Sequence, residues 1–225
     1  MKNSTVLQVK KLYFSYGDVE ILKNININLE KGKVLGIIGK SGCGKSTLLK
    51  IIAGFYKPKS GDVLILGVKH IKPTKNVIYL NQDYNQLFPW LTVEKNVAFS
   101  SNKKDKNNIL KFLRYVELED KINFYPCELS GGQKQRVVLA RALIINPDIL
   151  LMDEPFNSLD VTTRLNLQKT TKKMIEETNT TVLFVTHDIK EALFMSDHLL
   201  VFGKNKVTYY DKPQNLDKSF VSNLI

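Results

Sequence analysis

Cysteine is nearly absent: the 225-residue chain carries two, Cys43 and Cys127. They lie far apart and match no metal-ligand spacing, which argues against a disulfide framework and for a reduced cytosolic setting. Long apolar runs are missing as well. No window approaches the roughly 18 uncharged apolar residues of a membrane span, and the opening MKNSTVLQVKKLYF lacks the apolar centre of a signal peptide. A soluble chain that stays inside the cell is the expectation. Acid is in deficit, with 22 Asp and Glu against 33 Lys and Arg, a net charge of +11. That balance favours an anionic partner such as nucleic acid or the cytoplasmic lipid surface, or else a merely solvated, Lys-rich and Asn-rich exterior. Neither an internal repeat nor a low-complexity linker breaks the chain, so one unit with two lobes is expected.

What is present is mostly strand-and-helix alternation. Leu7 to Phe14 and Ile21 to Leu29 alternate apolar and polar residues at period two, with Tyr16-Gly17-Asp18 as the turn between them. Lys33 to Ile38 is a short apolar strand, and Ser46 to Ala53 has helical spacing. Strand chemistry returns in GDVLILGVKH and again at Val77 to Leu80. From Tyr84 to about Ala140 the pattern turns helical, as in Asn107 to Val116, with a Lys-rich connector at Ser101 to Asn108. Ile149 to Met152, Thr163 to Glu177 and Thr181 to Val185 then read as strand, helix and strand. The order implies a parallel sheet covered on both faces, with a helical lobe inserted.

Three stretches carry chemistry. Gly39 to Ser46, GKSGCGKS, fits the phosphate-binding loop, and it stands between a strand and a helix as that loop requires. Gly39, Lys40, Ser41, Gly42, Cys43 and Gly44 present backbone N–H groups to phosphate oxygens, with Thr47 closing the grip. Lys45 supplies charge to the β and γ phosphates and Ser46 a hydroxyl for Mg²⁺. ATP and Mg²⁺ are the cofactors this loop implies. The apolar strand ILLMDE delivers two carboxylates to a sheet edge: Asp153, placed to hold Mg²⁺, and Glu154, placed to polarise the attacking water. In LSGGQ, Ser130 and the backbone of Gly131 and Gly132, followed by Gln133, make a second anion site at a helix start. One nucleotide does not need two such sites.

With these stretches in this order, the chain resembles the ATP-binding-cassette (ABC) ATPases from Leu7 to about Val207. The resemblance implies an α/β fold: a P-loop NTPase (RecA-like) core, an N-terminal antiparallel β layer and an inserted α-helical subdomain. It divides a single domain over 1–225 into a nucleotide-binding core, 1–82 and 141–225, and a helical signature subdomain near 83–140. Tyr16 looks like the aromatic residue that stacks on adenine, and Gln82 like the glutamine that touches Mg²⁺ and water and couples the lobes. Ser158-Leu159-Asp160 resembles the D-loop that crosses a dimer interface, and His187 the histidine at the γ phosphate. In this family two subunits meet head to tail, each ATP lying between one phosphate loop and the other subunit's signature serine and glycines. Lys40 and Asn157 depart from the common pattern; neither is expected to supply a required donor or carboxylate.

QLFPWLTV at Gln86 to Val93, PFNSLDVTTR and THDIKEALFMSDHLLVF look like the importer ATPases for nitrate, sulfonates, taurine and thiamine-precursor pyrimidines. That resemblance implies import of a small solute through separate integral membrane permease subunits, an extracytoplasmic solute-binding protein, a head-to-tail pair of ATP-binding subunits and a place on the cytoplasmic face of the membrane. No nucleic acid partner is expected. The alternatives are a soluble cassette acting on nucleic acid or the ribosome, and an exporter ATPase with separate membrane subunits.

Overall fold

In the computed structural model, which describes residues 5–81, 86–101, 105–157, 159–203, 206–211, 213 and 216–224, the period-two opening becomes a hairpin. β1 (Thr5–Tyr16) pairs antiparallel with β2 (Val19–Glu30), Tyr16 opposite Val19. Both strands outrun the alternating stretch because the ladder continues through its polar ends. β3 (Val34–Gly39) is buried along its whole length and passes through the glycine loop into α1 (Lys45–Ile52). GDVLILGVKH is not one strand. It splits into β4 (Ser60–Ile65) and β5 (Val68–Lys69), which fold back on each other where Leu66 and Gly67 both take positive φ. β1, β2, β4 and β5 form a four-stranded antiparallel sheet.

After β6 (Val77–Leu80) come three helices, each opened by a side-chain cap: Thr92 for α2 (Val93–Phe99), Asp105 for α3 (Lys106–Tyr115) and Ser130 for α4 (Gly131–Leu143). The Asp105 cap starts α3 inside the stretch expected to be a connector. Val97, Ile109, Leu113, Val116 and Val137 bury the apolar stripes of these helices against one another.

The chain then alternates β7 (Ile149–Asp153), α5 (Val161–Thr178), β8 (Thr181–Val185), α6 (Ile189–Met195) and β9 (His198–Phe202) before closing with β10 (Val207–Asp211) and α7 (Lys218–Leu224). The second sheet runs β10-β9-β3-β8-β7-β6. Its strands are parallel except β10, which turns back antiparallel along β9, so the wholly parallel expectation fails at that edge. Leu48, Leu49 and Ile52 of α1 cover one face together with the four-stranded sheet, while α4 and α5 cover the other through Val137 and Met174. Each fully buried Leu or Phe on these faces contributes about 1.5–3 kcal/mol. In register, Ile37 stands opposite Val185 and Val185 opposite Asp153. β3, β8 and β7 therefore end at one edge, where ligands of open α/β sheets bind.

Candidate functional site

The loop from Gly39 to Thr47 turns into α1 at Gly44, whose φ of +102° suits glycine and whose position leaves a Cβ only 2.7 Å from Ile21 Cγ2. Lys40, Ser41 and Gly42 are exposed and Cys43 half-buried. Lys45 is 6% exposed, a burial an ammonium tolerates only when its protons are matched. Its Nζ donates to the carbonyls of Gly39 and Lys40, each at 2.8 Å, and lies 3.9 Å from Cys43 Sγ. The cation is thus held inside the curl of the loop, where anionic oxygens approaching the loop would meet it.

Ser46, one residue on, donates its hydroxyl to Asp153 Oδ1 at 2.9 Å, which closes the phosphate loop onto the end of β7. Tyr79, on β6, donates to the other oxygen, Oδ2, at 2.9 Å. Sequence reasoning did not find Tyr79; its only signal was a polar hydroxyl on an otherwise apolar strand. Burial first, and then the Asp153 charge, push the Tyr79 phenol well above its ordinary range, so it remains a donor.

Glu154 follows directly but faces elsewhere. It takes φ +50°, a costly conformation for a residue with a side chain, and its N–H donates to Val185 O at 3.0 Å. His187 Nδ1 lies 3.7 Å from Glu154 Oε2, and the His187 side chain is exposed. The same oxygen accepts a hydrogen bond from the Asn157 amide. Asn157 thus donates to Glu154, a contact beyond the expectation that this departure supplies no required donor. The short turn from Glu154 to Asn157, which Asn157 N closes onto Glu154 O at 3.3 Å, brings the two together.

Tyr16 stands at the rim of the same loop, its hydroxyl 3.4 Å from Thr47 Oγ1 and its ring edge-on to Phe14 at 4.9 Å. Phe14, expected only as a strand residue, and Tyr56, which the sequence did not single out, build this aromatic cluster; Tyr56 stacks on Phe14 at 5.8 Å. Nearly half of Tyr16 remains accessible, an open aromatic surface beside the phosphate loop. Gln82 and Ser158 lie outside the described residues.

The Ser130 stretch, expected to be a second anion site, takes shape as a capping box. Ser130 Oγ accepts from Gln133 N at 3.3 Å, and Gln133 Oε1 accepts from Ser130 N at 2.9 Å. Gly131 is exposed, and Gly132 packs so tightly that a Cβ would meet Thr163 Cγ2 at 2.7 Å. Asp160 caps α5 by accepting from Thr163 N at 3.0 Å, and the Thr163 hydrogen bonds hold its carboxyl below the usual carboxylate range. The Ser130 turn and the Asp160 cap therefore sit side by side. Among the described residues, no hydrogen bond or ion pair joins the Ser130 turn to the 39–47 loop. The structure brings Lys45, Ser46, Asp153, Glu154 and His187 to one sheet edge and leaves Ser130, Gly131, Gly132 and Gln133 at a separate helix start.

The sequence profile of the ABC transporter family matches residues 22–157. The aliphatic sulfonates import ATP-binding protein SsuB of Bacillus anthracis is 41% identical over 224 residues, spanning 98% of this chain and 86% of that protein. The spermidine/putrescine import ATP-binding protein PotA of Legionella pneumophila (strain Paris) is 39% identical over 226 residues, 94% of this chain and 62% of that one. Among solved structures, cbiO1 from Clostridium perfringens, part of the ABC transporter complex cbiONQ, superposes with a TM-score of 0.83 at 30% identity, covering 94% of this chain and 90% of that chain. A dimeric ATP-binding cassette in a post-hydrolysis state, bound to ADP and Pi, superposes at 0.76 with 33% identity, covering 92% and 98%. With the glycine loop closed onto β7 and the Ser130 turn at a separate helix start, the chain belongs to the ABC transporter family, as an ATP-hydrolysing subunit.

Proposed function

We propose that this subunit powers import of a small solute through separate membrane permease subunits, working as a head-to-tail pair on the cytoplasmic face of the membrane. The Ser46 to Asp153 hydrogen bond at 2.9 Å carries the reading, because it sets a hydroxyl and a carboxylate together beside the phosphate loop. Hard oxygen donors of this kind suit Mg²⁺, which would be held by Ser46 and Asp153, with Gln82 as a third donor. Bound there, the ion would neutralise phosphate charge. Residues 39–47 grip the phosphates, Lys45 exchanging its loop carbonyls for phosphate oxygens, while Tyr16 stacks on adenine. Glu154 orients and polarises the attacking water and His187 contacts the γ phosphate, a reading their separation of 3.7 Å supports.

The Ser130 turn would act on the nucleotide of a second subunit, since a single ATP at the 39–47 loop has no use for two helix N-termini. The core, 1–82 and 141–225, and the helical part near 83–140 are the two bodies of the stroke. A groove of about 520 Å³ whose lining mixes Leu91, Phe99 and Ile109 with Glu94, Lys95 and Lys106, next to exposed Trp90, is the proposed seat for the permease. No helix among the described residues is long and apolar enough to cross a membrane. Identity of 41% to the Bacillus anthracis sulfonate-import subunit supports a sulfonate-like solute delivered by an extracytoplasmic binding protein. Nucleic acid is not among the proposed partners. Replacement Glu154→Gln tests the reading: ATP should drive the variant into a dimer on size-exclusion chromatography, and a persistent monomer would refute the paired site.

A further inference from the structure

Arg164, near the start of α5, reaches both loops flanking the hydrolytic edge, as the His187 and Glu154 contact also does from within them. Its Nη2 donates to Leu159 O at 3.0 Å, immediately before Asp160. Its Nη1 lies 3.9 Å from Asp188 Oδ2, immediately after His187. Asp188 in turn caps α6, accepting from Lys190 N at 2.8 Å and Glu191 N at 3.3 Å. Beneath this junction Glu191 is 5% exposed; its Oε2 accepts from Gln168 Nε2 at 3.3 Å. Glu191 Oε1 and Arg164 Nε are both buried without a hydrogen-bond partner among the described residues. A buried guanidinium nitrogen left without a hydrogen bond is a cost that packing does not offset, so the Arg164 side chain calls for a role in placement. Only a guanidinium has the planar fork to reach a carbonyl and a carboxylate in different directions at once.

We propose that Arg164 is a positioning residue for ATP hydrolysis: it ties the backbone before Asp160 to the loop after His187, with Glu191 as the buried carboxyl that backs it. The two loops, carried by β7 and β8, then move as one piece when a second subunit meets Asp160. The tie rests on the roles given above to Asp160 and His187. Hydrolysis by a head-to-tail pair needs both loops placed within a fraction of an ångström, and the shared cation adds a link at their far ends to the Glu154 contacts with Val185 and His187.

The test is Arg164→Lys, which keeps the charge and stem and loses the fork, with Arg164→Ala beside it. Turnover should fall about tenfold in the Lys variant while KM for ATP stays within about twofold. Amide hydrogen exchange should quicken at 159–163 and 186–191 together, with the rest of the chain unchanged. Turnover within about twofold of wild type, or exchange that quickens in one loop alone or across the whole chain, overturns the tie. His187→Ala and Asp160→Ala separate the two levels. If both hydrolyse ATP as wild type does, the roles beneath the tie fail and the tie with them; if they do not, the Arg164 result judges the tie alone.

Discussion

The Tyr79 hydroxyl and the Ser46 hydroxyl divide Asp153 between them, Tyr79 donating to Oδ2 and Ser46 to Oδ1, both at 2.9 Å. The carboxylate is therefore fixed from the β6 side by a residue outside the phosphate loop, and the Tyr79 ring is itself wedged edge-on against Phe55 at 5.6 Å. Tyr79→Phe removes the hydroxyl and nothing else. A hydrogen bond to a charged group is worth about 1.5–3 kcal/mol, so, with Mg²⁺ held as proposed, the Mg²⁺ needed for half-maximal turnover should rise at least about tenfold. Turnover at saturating Mg²⁺ should change little, because the ion restores the carboxylate orientation once bound. Titration of ATPase rate against Mg²⁺ checks this; an unchanged midpoint would reduce Tyr79 to a packing residue.

Gly44 offers a sharper test of the loop. Its φ of +102° and the 2.7 Å approach of a Cβ to Ile21 Cγ2 make Gly44→Ala both strained and crowded. The backbone strain alone costs about 1–3 kcal/mol, and the loop has an easier escape than the fold: it can open. Nucleotide affinity should therefore drop by at least about tenfold while the unfolding midpoint falls by only a few degrees. Fluorescence titration with a trinitrophenyl-ATP analogue, beside a thermal melt, separates the two. Wild-type affinity in this variant would mean that the curl seen around Lys45 is not the binding conformation.

Local chemistry made the phosphate loop, the ILLMDE strand and the Ser130 cap legible, because in each the function resides in a contiguous stretch whose spacing is itself the signal. Tyr79, Tyr56 and Arg164 escaped for the opposite reason. Each reaches its partner across the sheet or between helices, Tyr79 to a carboxylate 74 positions away, and no sequence period encodes such a pairing. β10 escaped because its edge position on β9 leaves it half-buried, so that Val207 to Asp211 shows neither clean alternation nor a continuous apolar run. The Asn157 contact was not legible either, since the turn at Glu154, with its positive φ, brings an amide three residues away onto the carboxylate.

Glu191 gives the chain a pH-dependent stability of definite sign. Burial raises its carboxyl from 4.5 to about 7, opposed by hydrogen bonds from Thr186 and Gln168 and by Arg164, and assisted by Asp188. Because the folded-state value is the higher one, the native protein holds an extra proton between these limits, and stability declines as pH rises from 4.5 towards 7, levelling off above. The full effect is on the order of 3 kcal/mol. Glu191→Gln should abolish that slope, leaving the variant the more stable protein at pH 8 and close to wild type near pH 5, as urea unfolding at the two pH values would register. Parallel slopes in both proteins would place the titration elsewhere.

Gly131 separates what the chain needs for itself from what it offers to another subunit. A Cβ added there meets nothing within 4 Å, and the residue stands at the first position of α4, where alanine is a better helix former than glycine by up to about 1 kcal/mol. Within one chain, then, Gly131→Ala should be neutral or slightly stabilising. If the Ser130 turn closes over the nucleotide of a second subunit, the methyl group occupies the space into which the γ phosphate must come, and the backbone N–H groups lose their close approach. Turnover should fall about a hundredfold, a loss of the size seen when one such donor is removed, with ATP affinity of the isolated chain unchanged. Combined with Glu154→Gln, the substitution should also abolish the ATP-driven dimer, measured by sedimentation velocity. Undiminished turnover and dimerisation would mean that the Ser130 turn is a helix cap and no more, and that the second half of the ATP site must be sought on another face.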